Sequence, residues 1–166
     1  MLKPVKTKTV RANGGTFAIV ASHYNARYVD AMLHAAKTEL RHADVSRVQI
    51  VRVPGAYEIP VVAAKLARNA AGLKPGASHL SAIICLGVIL RGETVHAAHI
   101  GEAVSRALMD IQLKYEIPVI HEVLLLENEA QARARCLNPK HNRGTEAAQT
   151  AIAMAQVMAS LNFAGS

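Results

Sequence analysis

Aromatic residues are scarce in this chain: they make up 4% of its 166 residues, and tryptophan is absent. The hydrophobic fraction is nevertheless 51%, so the core must be built mainly from Ala, Val, Ile and Leu. Such a core suits helices packed on both faces of an apolar parallel sheet. The length suits one domain, and a domain of this size can bury a sizeable core.

Cysteine is scarce too, and long apolar runs are missing. Of the two cysteines, Cys85 and Cys136, the first lies within an apolar stretch and is predicted to be buried. Nothing requires a disulfide, so a reducing compartment is the default. Residues 1–15 lack the apolar stretch of a signal peptide, and no apolar run is long enough to span a bilayer. We therefore expect a cytoplasmic protein with no membrane partner.

The chain has a surplus of positive charge. The formal net charge is +7, which favours anionic partners such as nucleic acid, a membrane surface or a phosphorylated metabolite. Four basic residues fall within residues 1–15, which we expect to form a flexible tail ahead of a domain at 16–166: Lys3, Lys6, Lys8 and Arg11. Elsewhere the basic residues are dispersed, without the aromatic interleaving of single-strand binders. We expect no nucleic-acid partner; that alternative predicts salt-dependent retention on DNA.

Short β-rich runs alternate with segments of helical apolar spacing along the whole chain. The predicted strands are 16–21, 48–53, 80–90 and 118–126, and the predicted helices are 26–41, 58–71, 94–114, 129–135 and 145–161, with a surface connection at 72–78. This alternation predicts right-handed crossovers and a single three-layer α/β/α sandwich with about four parallel strands. Such sheets bind ligands at the carboxyl ends of their strands.

The third strand leads into a candidate anion site. Residues 87–94 nearly match the P-loop pattern G-x-x-x-x-G-K-[ST], but Glu93 stands where the lysine belongs and the intervening residues are bulky. A nucleoside triphosphate is therefore not expected, whereas a single phosphate fits. Gly92 would expose backbone N–H groups at a helix start, where the dipole favours an anion. The alternative is ordinary capping of the helix by Thr94.

Two histidines follow this loop. His96 and His99 are three residues apart, so they share one side of the predicted helix. A zinc site would need further ligands, for which Glu93 and Glu102 are the nearest carboxylates, and we expect no metal. Surface exposure is the ordinary interpretation of such histidines. Beside a bound phosphate, however, an imidazole can move protons near neutral pH.

The other strand ends carry polar and aromatic side chains. Tyr24, after the first strand, offers a face on which a flat heterocycle can stack, and Asn25 is either a substrate contact or a helix N-cap. Glu58, in a turn fixed by two prolines and a glycine, either stabilises a helix dipole or accepts substrate hydroxyls. Arg135 and Arg143, near the end of the chain, form either a bidentate phosphate contact or a solvated basic loop.

Taken together, residues 53–60, 87–96 and 142–148 resemble the lumazine synthase family in their order and spacing, and the similarity runs from about Phe17 to about Met158. The resemblance implies a flavodoxin-like sandwich with no metal or organic cofactor. It also implies the condensation of 5-amino-6-(ribitylamino)pyrimidine-2,4-dione with 3,4-dihydroxy-2-butanone 4-phosphate. The products would be 6,7-dimethyl-8-ribityllumazine, phosphate and water, in the penultimate step of riboflavin biosynthesis.

The resemblance also implies roles for individual residues. His96 matches the proton-transfer histidine. The substrate contacts are carried over as follows: Tyr24 and Asn25 at the pyrimidinedione; Glu58 with backbone of Ala56 and Tyr57 at the ribityl chain; backbone of Val88, Ile89 and Leu90 at the ring edge; Glu93, Thr94 and Arg135 at the phosphate; and His121 and Arg143 beside them. Three residues depart from the family pattern. Tyr24 stands where Phe or Trp is usual, His121 where a neighbouring subunit's Phe contacts the ring, and Arg143 where lysine is frequent.

The resemblance finally implies a homo-oligomer with active sites at subunit interfaces and a functional link to riboflavin synthase. The family forms pentamers, and some members assemble sixty-subunit shells. The segment 135–143 carries no insertion relative to the shell-forming members, which favours a shell. The changes at Tyr24 and His121 motivate an alternative from another class, a flavin- or lumazine-binding assembly protein without turnover.

Overall fold

The structure is a computed structural model that describes residues 12, 14–72 and 80–162. The predicted tail at 1–15 and the predicted connection at 72–78 lie almost wholly outside the described residues. The elements, in chain order, are β1 (Thr16–Ser22), α1 (Ala26–His42), β2 (Arg47–Val53), α2 (Ile59–Ala71), β3 (Leu80–Leu90), α3 (His96–Tyr115), β4 (Val119–Leu126), α4 (Glu129–Ala132) and α5 (Arg143–Asn162). A 3₁₀ turn, Ala56–Glu58, precedes α2, and a π-helical turn, Arg133–Leu137, follows α4.

The four strands form one parallel sheet in the order β2-β1-β3-β4, which confirms the predicted architecture. The chain runs outward from β1 to β2 and then crosses back to place β3 on the other side of β1. The loops that leave β1 and β3 therefore diverge. A crevice forms between two such strands at their carboxyl ends, and open α/β sheets bind ligands there.

Alternate residues of β1 point into two separate cores. Phe17, Ile19 and Ala21 pack against α1 and α5, whereas Ala18 and Val20 pack against α2 and α3. The period of two along the strand produces this division. The fold therefore has the three predicted layers, with α1 and α5 on one face of the sheet and α2 and α3 on the other. None of the helices in the described ranges is both long and apolar enough to cross a bilayer.

The starts of α3 and α5 differ from the prediction because capping differs, and the predicted helix 129–135 is interrupted. In α3 Val95 occupies the N-cap position without a side-chain cap, so the helix begins two residues late and the predicted capping by Thr94 is wrong. In α5 the Asn142 Oδ1 accepts a hydrogen bond from the Gly144 N–H at 2.8 Å, and the helix begins two residues early. The predicted helix 129–135 changes at Arg133 to the wider π-helical turn.

Both cysteines are free and fully buried. Burial raises the pKa of the Cys85 thiol, and burial together with the nearby Glu122 carboxylate raises the pKa of Cys136 to about 11. Because the thiolate is the reactive form, a raised pKa keeps Cys136 in its unreactive protonated form at about pH 8. We expect a disulfide-exchange reagent to label neither thiol in the native protein and both in urea, as measured by absorbance. Rapid labelling of the native protein would contradict the burial described here.

Candidate functional site

The loops that follow β1 and β2 are joined at the carboxyl edge of the sheet. The backbone N–H of Tyr24 donates to the Pro54 carbonyl at 3.0 Å. A Cβ atom added to Gly55 would lie 3.1 Å from the Tyr24 ring and 2.9 Å from a Glu58 carboxylate oxygen. The ring and the carboxylate therefore flank the same glycine, and a larger residue would displace one of them. Tyr24 is 72% exposed, so its ring is accessible to a ligand.

Glu58 closes the turn that leads into α2. One of its carboxylate oxygens accepts a hydrogen bond from the Gly55 N–H at 2.9 Å. The 3₁₀ turn that results contains Ala56, which is buried, and Tyr57, which is exposed. Glu58 thus satisfies a backbone donor close to the start of a helix, and its position at the sheet edge also leaves it near Tyr24.

Asn25 connects β1 to β3 across the crevice. It occupies the N-cap position of α1 in the left-handed region, with φ 56°, but its side chain makes no cap hydrogen bond. Asparagine tolerates this conformation better than most residues. Its Nδ2 atom donates instead to the Val88 carbonyl at 2.7 Å. Asn25 therefore occupies the predicted N-cap position of α1, but its side chain does not make the predicted capping hydrogen bond.

β3 extends beyond β1 at this crevice. The register of β1 with β3 ends at Ala21 and Leu86, whereas β3 continues to pair with β4 as far as Leu90. The backbone of Val88 and Ile89 therefore borders the crevice on the side that β1 no longer covers. Backbone N–H and C=O groups in such a position can recognise the polar edge of a flat ring.

Arg52 of β2 stabilises the loop that carries Tyr24. Its Nη1 atom pairs with the Asp30 carboxylate at 2.6 Å, and its Nη2 atom donates to the Ser22 carbonyl at 2.8 Å. The Arg52 Nε and the Ser22 Oγ are buried polar atoms with no hydrogen-bond partner among the described residues. This arginine fixes the end of β1 relative to α1, a role that its position in a strand does not reveal.

The connection from β3 to α3 is exposed and open. A Cβ atom on Gly92 would meet nothing within 4 Å. Glu93 and Thr94 lie in this connection rather than in the helix, which corrects the predicted helix start, and His96 is the first residue of α3. The N–H groups at the start of a helix have no intrahelical acceptor, and the helix dipole favours an anion there.

His96 and His99 are both exposed on α3. Within residues 12, 14–72 and 80–162, no group of three or more His, Cys, Asp or Glu side chains is arranged to hold a metal ion. Beside the adjacent helix start, these two side chains can take part in proton transfer or in hydrogen bonding to a ligand.

His121 belongs to a hydrogen-bonded chain between β4 and α3. Its Nδ1 accepts from the Val123 N–H at 3.1 Å, and its Nε2 lies 2.7 Å from the Ser105 Oγ, whose hydroxyl donates to the Gly101 carbonyl. Because Nδ1 is an acceptor, the network assigns the ring proton to Nε2. Burial lowers the pKa of His121, which favours the neutral ring. No pattern in the sequence identifies Ser105 as its partner.

Arg143 forms ion pairs with two carboxylates at the start of α5. Its Nε and Nη2 atoms donate to the two oxygens of Glu122 at 3.0 and 2.9 Å, and its Nη1 donates to Glu146. Glu122 is 6% exposed. Burial raises its pKa to about 7 against the opposing effect of Arg143, and the charge of Arg135 also acts on it. Arg143 is thus not part of a solvated loop, and its predicted contact with phosphate stays a prediction.

The structure brings some of the predicted site residues together and leaves others apart. Tyr24 and Glu58 meet at Gly55, and Asn25 meets Val88. The loops after β3 and β4 are also joined, since Arg91 pairs with Glu127 at 2.9 Å. His121, in contrast, is in register with Cys85, three residues before Val88, which corresponds to roughly 10 Å along the strand.

A family model described as 6,7-dimethyl-8-ribityllumazine synthase matches residues 14–159. The chain is 35% identical to the protein of that name from Stenotrophomonas maltophilia (strain R551-3) over 147 residues, which cover 87% of this chain and 90% of the relative. It is also 35% identical to the protein of that name from Xanthomonas campestris pv. campestris (strain B100) over 151 residues, or 90% and 93% of the two chains.

Proposed function

Since the chain belongs to the 6,7-dimethyl-8-ribityllumazine synthase family, transferases of riboflavin biosynthesis, we propose that it condenses 5-amino-6-(ribitylamino)pyrimidine-2,4-dione with 3,4-dihydroxy-2-butanone 4-phosphate. The products are 6,7-dimethyl-8-ribityllumazine, phosphate and water. The observation that carries the proposal is the crevice between β1 and β3. There an exposed aromatic ring and a carboxylate flank one glycine, and β3 continues past the end of β1 toward the start of α3.

The crevice offers complementary groups for the pyrimidinedione. Tyr24 provides the stacking face, and the backbone of Val88, Ile89 and Leu90 provides donors and acceptors for the ring edge. Glu58, with the backbone of Ala56 and Tyr57, accepts the hydroxyls of the ribityl chain. Asn25 already binds the Val88 carbonyl, so it orients the strand end that the ring contacts.

The start of α3 is suited to the phosphate of the second substrate. Backbone at Glu93 and Thr94, the Thr94 hydroxyl and the Arg135 guanidinium supply hydrogen bonds and positive charge. Within this arrangement the amine attacks the ketone, and a Schiff base forms with loss of one water. The adjacent carbon then loses a proton as phosphate leaves, the resulting enol becomes a carbonyl group, and the ribityl-bearing nitrogen closes the ring on that carbonyl with loss of a second water. His96 moves protons between the reacting atoms. Most of the acceleration comes from holding the two substrates together.

A second copy of the chain completes the site in this proposal. As the family resemblance implies, His121 contacts the ring that a neighbouring subunit binds; within one chain it faces α3 and lies about 10 Å along the sheet from Val88. Large apolar side chains exposed on one chain support such an assembly, among them Val61, Val95, Met109, Leu113 and Val157. We propose a homo-oligomer built from pentamers; sedimentation velocity distinguishes a single pentamer from a sixty-subunit shell.

A turnover assay tests the proposed reaction. Purified protein is incubated with both substrates, and the fluorescence of the lumazine product is followed against a reaction without protein. We expect product formation well above the uncatalysed background. A rate equal to the background, accompanied by tight binding of lumazine or flavin, would instead favour an assembly protein that binds the ring without turnover.

Arg135→Ala tests the assignment of the phosphate. Because this guanidinium is proposed to contact only the phosphate, we expect the KM for the butanone phosphate to rise by about tenfold or more. The KM for the pyrimidinedione should change by less than about twofold. Steady-state kinetics with each substrate varied in turn provides both values.

Arg133→Ala is the matched control, since Arg133 lies in the same turn and pairs with Glu129 at the exposed surface. We expect it to leave both KM values within about twofold of the wild type. Equal effects of Arg135→Ala on both substrates would argue against the phosphate assignment.

A further inference from the structure

The segment that carries Arg135 is short and irregular. Arg133–Leu137 forms a π-helical turn between α4 and a five-residue connection to α5. Such turns are strained relative to an α-helix and occur often at functional sites. Arg135 itself is exposed, whereas the next residue, Cys136, is fully buried against the core formed with α1 and α5. The direction of the Arg135 side chain therefore depends on how firmly this turn is held.

Asn142 links the turn to α5 through one buried side chain. Its Oδ1 accepts from the Gly144 N–H at 2.8 Å, as an ordinary N-cap does. Its Nδ2 also donates to the Cys136 carbonyl, six residues back in the chain. An N-cap alone needs no such second bond. Asn142 is 7% exposed, and a broken hydrogen bond at a buried site leaves a group that water does not satisfy.

The start of α5 is in turn attached to the sheet. Arg143, the residue after Asn142, makes two parallel hydrogen bonds to Glu122 of β4. Two-pronged pairs of arginine and carboxylate fix orientation as well as distance. Glu122 lies in the register of Leu86, within the rigid part of the sheet. A continuous set of contacts thus runs from β4 through Arg143 and Asn142 to the backbone that follows Arg135.

We propose that Asn142, anchored through the Arg143–Glu122 pair, is a positioning residue that holds the Arg133–Leu137 turn and directs Arg135 toward the phosphate. This inference rests on the proposed function for the identity of the anion. Catalytic and binding groups gain most when their supporting contacts restrict them before the ligand arrives. Loss of the link should therefore weaken phosphate binding selectively, without removing any group that touches the substrate.

Asn142→Asp is the sharpest variant. Aspartate keeps the oxygen that caps α5, and it is as good an N-cap as asparagine, but it lacks the N–H that reaches the Cys136 carbonyl. We expect the KM for the butanone phosphate to rise by about tenfold, with the KM for the pyrimidinedione changed by less than about twofold. Hydrogen exchange followed by mass spectrometry should show faster exchange in residues 133–141.

Asn138→Ala is the matched control, because the hydrogen bond that the Asn138 side chain accepts from the Lys140 N–H stays within the same exposed connection. We expect it to change neither KM value nor the exchange of the Arg133–Leu137 turn. If Asn142→Asp shifts both KM values equally, or leaves the exchange of this turn unchanged, the positioning role is wrong. Should Asn142→Asp not fold, Asn142→Ser, which also lacks the amide donor, provides the same comparison.

Binding of inorganic phosphate separates this inference from the proposed reaction. Isothermal titration calorimetry with phosphate alone needs no turnover, so it compares the wild type with Asn142→Asp even if no lumazine is formed. We expect affinity about tenfold weaker in the variant. If the wild type forms no lumazine but binds phosphate more tightly than the variant, the proposed reaction is wrong and the positioning role stands. If the wild type is active but binds phosphate no more tightly than the variant, the reaction stands and the positioning role is wrong.

Discussion

Replacing His96 by alanine should slow turnover by roughly tenfold to a thousandfold while leaving phosphate affinity mostly intact. His96 is exposed as the first residue of α3, beside the helix start where the phosphate is proposed to bind. The condensation requires protons to move as the Schiff base forms and the ring closes, and an imidazole can both give and accept them near neutral pH. The phosphate contacts come from other groups, so the substitution should slow the chemical steps without weakening phosphate binding.

His99→Ala is the matched control for this prediction. His99 is also exposed on α3, three residues further along, which is about 4.5 Å along the helix axis, and it has no role in the proposed reaction. We expect its turnover number to stay within about twofold of the wild type. Single-turnover measurements with both substrates saturating isolate the chemical steps from binding. If His96→Ala reacts as fast as the wild type, the proton-transfer role is excluded.

Gly144→Ala should destabilise the protein by about 3 kcal/mol or more in the free energy of unfolding. A Cβ atom at this position would lie 1.9 Å from the carbonyl oxygen of Met32 and 2.6 Å from its carbonyl carbon. These are backbone atoms of α1, which cannot turn aside as a side chain does. The two helices would have to separate, and the core between them would open.

The direction of this effect is opposite to that of helix propensity. Alanine is favoured over glycine by about 1 kcal/mol in a helix interior, so a loosely packed Gly144, in the first turn of α5, would be stabilised by up to that amount. Gly101→Ala provides the control, because its Cβ would meet only Leu125 at an ordinary contact distance of 3.5 Å. Urea unfolding of both variants measures the difference. A Gly144→Ala protein as stable as the Gly101→Ala protein would refute the close approach of α1 and α5.

The fold is largely predictable from the sequence because it depends on apolar periodicity. The continuous apolar run at residues 80–90 predicts a covered strand, and β3 has those bounds. Helix starts are less predictable, since they depend on single capping hydrogen bonds. Thr94 is of a residue type that often caps helices, but it does not cap α3, whereas Asn142 caps α5.

The candidate site is predictable where it follows from topology. Parallel strands end at the same edge of the sheet, so the order of strands and loops alone assigns Tyr24, Glu58 and the residues after β3 to one region. Side-chain partners distant in sequence cannot be assigned in this way. Glu122 sits in an apolar strand pattern, and nothing local indicates that it pairs with Arg143, 21 residues later.

A crystal structure with inorganic phosphate and an unreactive pyrimidinedione analogue tests the central claim most directly. The account predicts the phosphate at the amino end of α3, bound by Thr94 and by an Arg135 guanidinium, with the ring stacked on Tyr24 and the His96 imidazole facing the carbon atoms that react. Phosphate bound elsewhere, or an imidazole that faces away from those atoms, would contradict it.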